Sequence, residues 1–81
     1  MTIQVLLFAE AKQVAGKPTV EIELPKSSTV DDVLDRIVDT VPELLPLKSS
    51  LLVAVNNQFA SRDQTIQPAD TVACFPPVSG G

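Results

Sequence analysis

Histidine, tryptophan and tyrosine are absent from the 81-residue sequence, and cysteine occurs only once. Without histidine, Ser-His-Asp and Cys-His catalysis is excluded, and one cysteine can form neither a zinc finger nor a disulfide framework. The sequence therefore predicts no metal site and no catalyst that acts alone. A lone thiol is typical of a reducing compartment, so we expect a cytoplasmic protein.

Glycine and basic residues are also scarce. The glycines are residues 16, 80 and 81, a spacing that excludes the dinucleotide-binding fingerprint and the P-loop. Six Lys and Arg against ten Asp and Glu give a net charge of −4. Because nucleic acids and anionic membranes are bound through clustered Lys and Arg, neither is expected as a partner, whereas a basic protein surface is. No apolar run reaches the ~20 residues of a membrane span, and the first residues do not resemble a signal peptide.

The apolar pattern predicts short strands around one long helix. Val20, Ile22 and Leu24 alternate with polar residues, as in a half-buried strand. Residues 29–41 carry an apolar stripe of helical period, with Thr29 as the candidate N-cap. The predicted elements are strands at 3–8, 19–24, 51–55, 58–60 and 71–75, helices at 9–15 and 29–41, a cap at Gly16, a loop with a short helical turn at 42–50, and turns at 56–57 and 67–70.

This order of elements predicts the fold class. The connection through the long helix is long enough to bring two strands parallel. The small α+β arrangement that satisfies the order is one mixed sheet packed on one main helix, the β-grasp or ubiquitin-like fold. We expect a single domain over residues 1–81, with 76–81 as an extended tail.

One face of the predicted sheet is more apolar than a free surface needs to be. If alternate residues of the first and last strands face the helix, then Leu6, Phe8 and Phe75 point away from it. Such side chains predict a docking surface for a partner protein. The alternatives are a shifted strand phase, or a cover formed by the loop that contains Leu44, Leu45 and Leu47.

The last seven residues are Phe75-Pro76-Pro77-Val78-Ser79-Gly80-Gly81. Two prolines lack backbone N–H groups and favour an extended conformation, so we expect them to end the sheet and direct the tail outward. The four residues 78–81 span roughly 13 Å when extended. Because glycine has no side chain, Gly80 and Gly81 suit a carboxylate that enters a narrow catalytic channel. The alternative is a frayed end of small residues.

With this tail, the sequence resembles the small, sulfur-carrier subunits of molybdopterin synthase, which end in Phe-Pro-Pro-Val-[Ser/Thr]-Gly-Gly. Residues 3–9, 52–56 and 70–73 also look like the family, so the resemblance covers nearly the whole chain. It implies that a ubiquitin-activating-like enzyme uses ATP to adenylate the Gly81 carboxylate, which then becomes a thiocarboxylate. Sulfur would pass from it to cyclic pyranopterin monophosphate in a heterotetramer of two small and two large subunits.

The resemblance also implies a role for each site residue. Gly81 would react, beside Gly80, while the large catalytic subunit would be contacted by Leu6, Phe8, Phe75, Pro76, Pro77 and Val78. The chain would not be an enzyme on its own, and no cofactor would stay bound to it.

Two other functions stay open. A ubiquitin-like modifier attached to lysines through Gly81 would use the same tail, and some small archaeal modifiers look like this chain. Sulfur carriage for thiazole synthesis is the third possibility, although those carriers are usually shorter and lack the Phe-Pro-Pro-Val step. We expect Cys74 to be a buried, inert thiol, Asp63, Asp70 and Arg62 to shape turns and surface, and the lysines to be exposed, with Lys12 and Lys26 candidates for pockets of an assembled synthase.

Overall fold

In the computed structural model, which describes residues 1–77, five strands form one mixed sheet. The strands are β1 (Thr2–Leu7), β2 (Thr19–Glu23), β3 (Leu52–Val55), β4 (Gln58–Phe59) and β5 (Val72–Phe75). The helices are α1 (Ala9–Ala15), α2 (Val30–Thr40) and a 3₁₀ helix over Pro42–Ser50. The spatial order of the strands is β2-β1-β5-β3-β4. None of the helices within residues 1–77 is long and apolar enough to cross a membrane.

The predicted α+β class, a mixed sheet on one main helix, is confirmed. The parallel pair is formed by β1 and β5, whereas the other three pairings are antiparallel. The strands on either side of α2, β2 and β3, run in the same direction, but β1 and β5 lie between them. The long crossover through α2 therefore brings β2 and β3 parallel, as its length allows, but the two strands are not neighbours in the sheet.

The helix α2 begins at a capping box. The Asp32 backbone N–H donates to Thr29 Oγ1 at 3.4 Å, and the Thr29 N–H donates to Asp32 Oδ2 at 2.9 Å. These two bonds satisfy N–H groups that have no partner within the helix. Pro42 then prevents α-helical continuation beyond the last turn. The predicted start and end of this helix are confirmed to within one residue.

The core lies between the inner face of the sheet and α2. Its strand residues alternate along the chain as the period of two requires, and its helix residues follow the predicted stripe. The main members are Ile3, Val5, Leu7, Val20, Ile22, Val53, Val55, Val72 and Cys74 from the sheet, and Val30, Val33, Leu34 and Ile37 from α2. The strand phase assumed from the sequence is therefore correct.

The segment between α2 and β3 differs from the prediction of a loop with one short helical turn. It is a nine-residue 3₁₀ helix that packs against α1 and α2. Leu44 is fully buried in the core, Leu47 is partly buried against it, and Leu45 is 60% exposed. Because this segment packs with the helices, its leucines do not cover the outer face of the sheet. Pro42 and Pro46 favour an irregular segment, whereas the burial of Leu44 stabilises the 3₁₀ helix.

Three backbone turns follow the sequence prediction. Gly16 adopts φ 75° at the end of α1, a left-handed conformation that favours glycine. Asn56 and Asn57 have φ values of 54° and 67°, as a tight hairpin between β3 and β4 requires. The Asp70 N–H donates to the Gln67 carbonyl at 3.0 Å and closes the last turn. Asp70 therefore shapes a turn, as expected.

Replacing Thr29 with alanine should destabilise the protein by about 1 kcal/mol, because the Asp32 N–H loses its cap acceptor. The measurement is chemical denaturation with an unchanged denaturant dependence. The matched control is Thr29→Ser, which keeps the hydroxyl and should stay close to wild type. Equal losses in both variants would contradict a stabilising role for the capping box.

Candidate docking face and tail

An apolar surface occupies one half of the outer face of the sheet. We call it the outer patch, and it consists of Leu6, Phe8, Leu52, Ala54, Phe59, Ala73 and Phe75. Strand pairing makes these residues contiguous: Leu6 lies opposite Ala73, Ala73 opposite Ala54, and Ala54 opposite Phe59. The register also places Leu52 opposite Phe75. A continuous apolar surface of this kind is typical of a protein-binding site.

Two phenylalanines form the most prominent part of the outer patch. The rings of Phe59 and Phe75 lie 5.6 Å apart between centroids and are inclined by 56°. Phe59 is 75% exposed and Phe8 is 49% exposed. An aromatic pair packed in this way is held in position before a partner arrives, which reduces the entropy lost on binding.

The outer patch ends sharply at β1. On the next strand, β2, the residues opposite Gln4 and Thr2 are Glu21 and Glu23, and both glutamates are exposed. The outer face is thus apolar over β5, β3, Phe59 of β4 and the Leu6 end of β1, and polar over β2 and the first residues of β1. This division gives the patch an apolar centre with a charged edge, the usual anatomy of a protein interface.

Sequence reasoning found Leu6, Phe8 and Phe75 and missed Leu52 and Phe59. The structure brings all five to the same face, and contact of each with a partner stays a prediction. The missing signal was available in the predicted hairpin at 56–57. Its antiparallel register puts residue 59 opposite residue 54, and alternation along β3 then gives residue 52 the same outward direction.

The predicted tail begins beside this patch. Phe75 is half-buried at the end of β5, Pro76 is half-buried, and Pro77 is exposed. The Phe8 N–H donates to the Cys74 carbonyl at 3.1 Å, which ties the end of β1 to the end of β5. The first residues after the sheet therefore leave at the end of the outer patch. Val78, Gly80 and Gly81, for which partner contact and reaction are predicted, lie outside the described residues.

Cys74 points to the opposite side of the sheet, into the core. Its side chain is fully buried, and this burial raises the pKa of the thiol to about 12, with a small opposing effect of Arg62. Since the thiolate is the reactive form, the group is unreactive at neutral pH. The prediction of a buried, inert cysteine agrees with this geometry.

The ion pairs of the described residues lie on the helix side of the molecule. Lys48 pairs with Asp35, which raises the pKa of the lysine. Arg62 Nη1 lies 3.4 Å from Asp31 Oδ1, and its other terminal nitrogen donates to the carbonyls of residues 48, 49 and 51. The Ser61 hydroxyl donates to Asp63 at 2.6 Å and lowers the pKa of that carboxyl. These groups hold the loop after β4 in place, which agrees with the structural roles expected for Asp63 and Arg62.

Neither the outer patch nor the start of the tail contains a catalytic group. The patch residues are hydrocarbon side chains, and no cluster within residues 1–77 has enough His, Cys, Asp or Glu to hold a metal ion. The arrangement is therefore suited to docking and to presenting the residues after Pro77.

The sheet order, the single main helix and the apolar face define a ubiquitin-like β-grasp protein. Comparison with known sequences then gives the family: the ThiS family matches residues 5–81, and this chain belongs to it.

The curated relatives of this chain include proteins named molybdopterin synthase sulfur carrier subunit. The one from Arabidopsis thaliana is 35% identical over 79 residues, covering 98% of this chain and 82% of that protein. The one from Dictyostelium discoideum is 38% identical over 81 residues, covering 96% of this chain and 94% of that protein.

Solved structures agree on the fold. The crystal structure of SAMP1 from Haloferax volcanii superposes with a TM-score of 0.88 at 31% identity and covers all of both chains. A chain from the complex of subunits 1 and 2 of the molybdopterin-converting factor from Helicobacter pylori superposes with a TM-score of 0.69 at 17% identity, again over both chains in full. The second likeness shows the shared fold alone.

The burial of Cys74 makes a testable prediction about thiol reactivity. In the native protein at neutral pH, a thiol reagent should label Cys74 at least about 100-fold more slowly than in the denatured chain, because the native pKa is near 12 and the side chain is enclosed. As pH rises above the ordinary thiol pKa, the labelling rate should level off in the denatured chain, whose thiol is then ionised, but keep rising in the native chain, whose pKa is higher. The measurement is mass spectrometry over time. Fast native labelling would contradict the buried position.

Proposed function

We propose that this protein is the sulfur-carrier subunit of molybdopterin synthase and that Gly81 carries the sulfur. The observation that supports it most is that the outer patch lies at the start of the diproline segment. A sulfur carrier needs a docking surface beside the segment that carries its reactive end. Family membership and two full-length relatives with that name support the same function.

The chemistry starts from a carboxylate, which is a poor acyl donor because its oxygen is a poor leaving group. In the proposed reaction, an adenylating enzyme joins the Gly81 carboxylate to the α-phosphate of ATP and releases pyrophosphate. The outer sulfur of a cysteine persulfide on the donor then attacks the carbonyl carbon and AMP leaves, which gives an acyl disulfide. A second thiol of the donor attacks the S–S bond, so that a disulfide forms on the donor and the thiocarboxylate is released. Gly80 and Gly81 have no side chains that would block either attack.

The thiocarboxylate is the sulfur donor in the second half of the proposal. The outer patch docks on the large catalytic subunit, and the tail enters that subunit's active site. The sulfur of the thiocarboxylate displaces an oxygen substituent of cyclic pyranopterin monophosphate, and water hydrolyses the resulting thioester, which leaves the sulfur on the pterin and returns the tail to the carboxylate form. The same patch serves the adenylating enzyme and the large subunit in turn, so the carrier must dissociate between loading and transfer.

The proposed roles of the carrier and its partners fit the side chains that this protein contains. Nucleotide binding and proton transfer fall to the partners, whereas the carrier contributes a shaped surface and an accessible carbonyl. The chain is in this view a non-catalytic subunit of a heterotetramer with two large subunits. The Helicobacter pylori chain that shares this fold comes from a complex of subunits 1 and 2 of the molybdopterin-converting factor.

A second function is favoured by one specific observation. The modifier SAMP1 of Haloferax volcanii superposes with a TM-score of 0.88 at 31% identity, and the curated small archaeal modifier protein 1 of that organism is 35% identical over 93% of this chain. Conjugation through Gly81 to lysine side chains would use the same activated carbonyl. Recovery of lysines that carry a tail-derived Gly-Gly remnant from cells would favour the modifier function. Recovery of molybdopterin synthase activity from a reconstituted complex would favour the carrier function.

Sulfur loading can be tested by intact mass. After co-expression with the adenylating enzyme and its sulfur donor, the protein should gain about 16 mass units, which corresponds to one oxygen replaced by sulfur at Gly81. Deletion of Gly81 should abolish both the gain and synthase activity. The Cys74→Ala variant, which keeps the tail, should still be loaded. Synthase activity of the Gly81 deletion at the wild-type level would contradict the proposal.

Docking can be tested with one exposed phenylalanine. Phe59→Ser should weaken binding to the large subunit by about 30-fold or more, the effect of losing an interface hot spot of roughly 2 kcal/mol. The matched control is Leu45→Ser, another exposed apolar residue that lies on the 3₁₀ helix, and it should bind as wild type does. Calorimetry measures the affinity, and thermal unfolding checks that both variants fold. Equal affinities of the two variants would exclude the outer patch as the docking face.

A further inference from the structure

A basic cavity lies next to the outer patch, at the junction of α1 and β2. It has a volume of about 440 Å³, and its lining residues are Ala9, Lys12, Gln13, Gly16, Lys17 and Pro18. The lysines are its charged members, and both are exposed. The carboxylate closest to them in sequence, Glu10, does not line the cavity.

The fold places this cavity beside the docking face. Ala9 directly follows Phe8 of the outer patch. The Leu7 N–H donates to the Pro18 carbonyl at 2.7 Å, so the start of β2 is tied to the end of β1. The end of β1 is in turn bonded to Cys74, two residues before Pro76. The cavity, the outer patch and the start of the tail therefore share one end of the sheet.

The two lysines differ from the other basic groups in their surroundings. Lys48 and Arg62 are paired with carboxylates of α2. Lys12, Lys17, Lys26 and Arg36 form no ion pair within residues 1–77, and of these four only Lys12 and Lys17 line the cavity beside the outer patch. The chain as a whole is acidic, with a net charge of −4. A partner that meets this carrier thus finds positive charge at the tail end of the outer patch and negative charge along β2.

We propose that Lys12 and Lys17 receive carboxylate side chains of the large subunit at the rim of its docking site. This inference rests on the proposed function, since it assigns the polarity of the same interface. Rim charges of opposite sign accelerate association and fix orientation more than they add to final affinity. The partner surface is accordingly acidic where it faces the cavity and basic where it faces Glu21 and Glu23.

Protein carboxylates fit this position better than a phosphate of the reacting substrate does. In the proposed transfer, four extended residues separate Pro77 from the reacting carbonyl, a span of roughly 13 Å. An anion that meets Gly81 inside the partner is therefore remote from the cavity at the opposite end of the tail. The cavity instead faces the part of the partner that surrounds the channel entrance.

The test uses two variants with the same net charge. Lys12→Gln/Lys17→Gln and Arg36→Gln/Lys48→Gln each remove two positive charges, and both take the net charge from −4 to −6. Arg36 lies on α2 and Lys48 on the 3₁₀ helix, both away from the patch. Association with the purified large subunit is measured by stopped flow at low and high ionic strength.

At low ionic strength, the Lys12/Lys17 variant should associate about fivefold more slowly than wild type, and high salt should remove the difference. The Arg36/Lys48 variant should stay within about twofold of wild type. Equal slowing of both variants would overturn the inference, because the effect would then follow net charge. An unchanged rate of the Lys12/Lys17 variant would overturn it as well. If Phe59→Ser also bound normally, the docking face itself would fail, whereas a Phe59 effect without a lysine effect would remove this inference alone.

Carbodiimide cross-linking gives a direct second readout, because it joins amines to carboxylates that are in contact. In the wild-type complex, mass spectrometry should find Lys12 or Lys17 joined to Asp or Glu of the large subunit. Links from Lys26 without any from Lys12 or Lys17 would contradict the proposed orientation.

Discussion

The position of β5 in the middle of the sheet is the constraint on which the other features depend. Only four residues long, it pairs with β1 on one side and β3 on the other. Alternation sends Val72 and Cys74 into the core and leaves Ala73 and Phe75 outside. The strand that completes the core thus also forms the middle of the outer patch and leads directly into Pro76. The core, the outer patch and the position of Pro76 are coupled through one strand, because all three involve β5 directly.

The coupling explains why an apolar outer face is tolerated. Removing its hydrophobic side chains would reduce the attraction for a partner, whereas moving them inward would require a one-residue shift of register that would also expose the core. The small residues Ala54 and Ala73 form a flat part of the outer patch between larger side chains, and the Phe59–Phe75 pair lies at one side of it. The alanines and the aromatic pair together present a preformed surface to a partner rather than a mobile one.

Much of this arrangement could be predicted from the sequence, for identifiable reasons. The capping residue Thr29, the turn at Asn56 and the inward phase of β1 all depend on local chemistry, which a sequence displays directly. The neighbours of β5 depend on pairing between distant segments, so the parallel partner of β1 was not predicted. Phe59 was missed for the same reason, since its place in the patch depends on strand register. The helical state of residues 42–50 depends on the burial of Leu44, a tertiary contact that overrides the two prolines.

The charges at the two edges of the patch can select one orientation of the partner, which apolar contact alone cannot do. A flat apolar surface can be covered in several orientations of similar energy, but only one of them would aim the tail into a channel. Positive charge at Lys12 and Lys17 and negative charge at Glu21 and Glu23 make the edges unequal, so a reversed orientation would bring like charges together. In the proposed function, electrostatic orientation and tail insertion would be satisfied by the same approach, because the end of β5 that leads into Pro76 lies near the positive edge. An interface that must form and dissociate in each proposed cycle would gain most from this arrangement, since rim charges speed association without greatly slowing release.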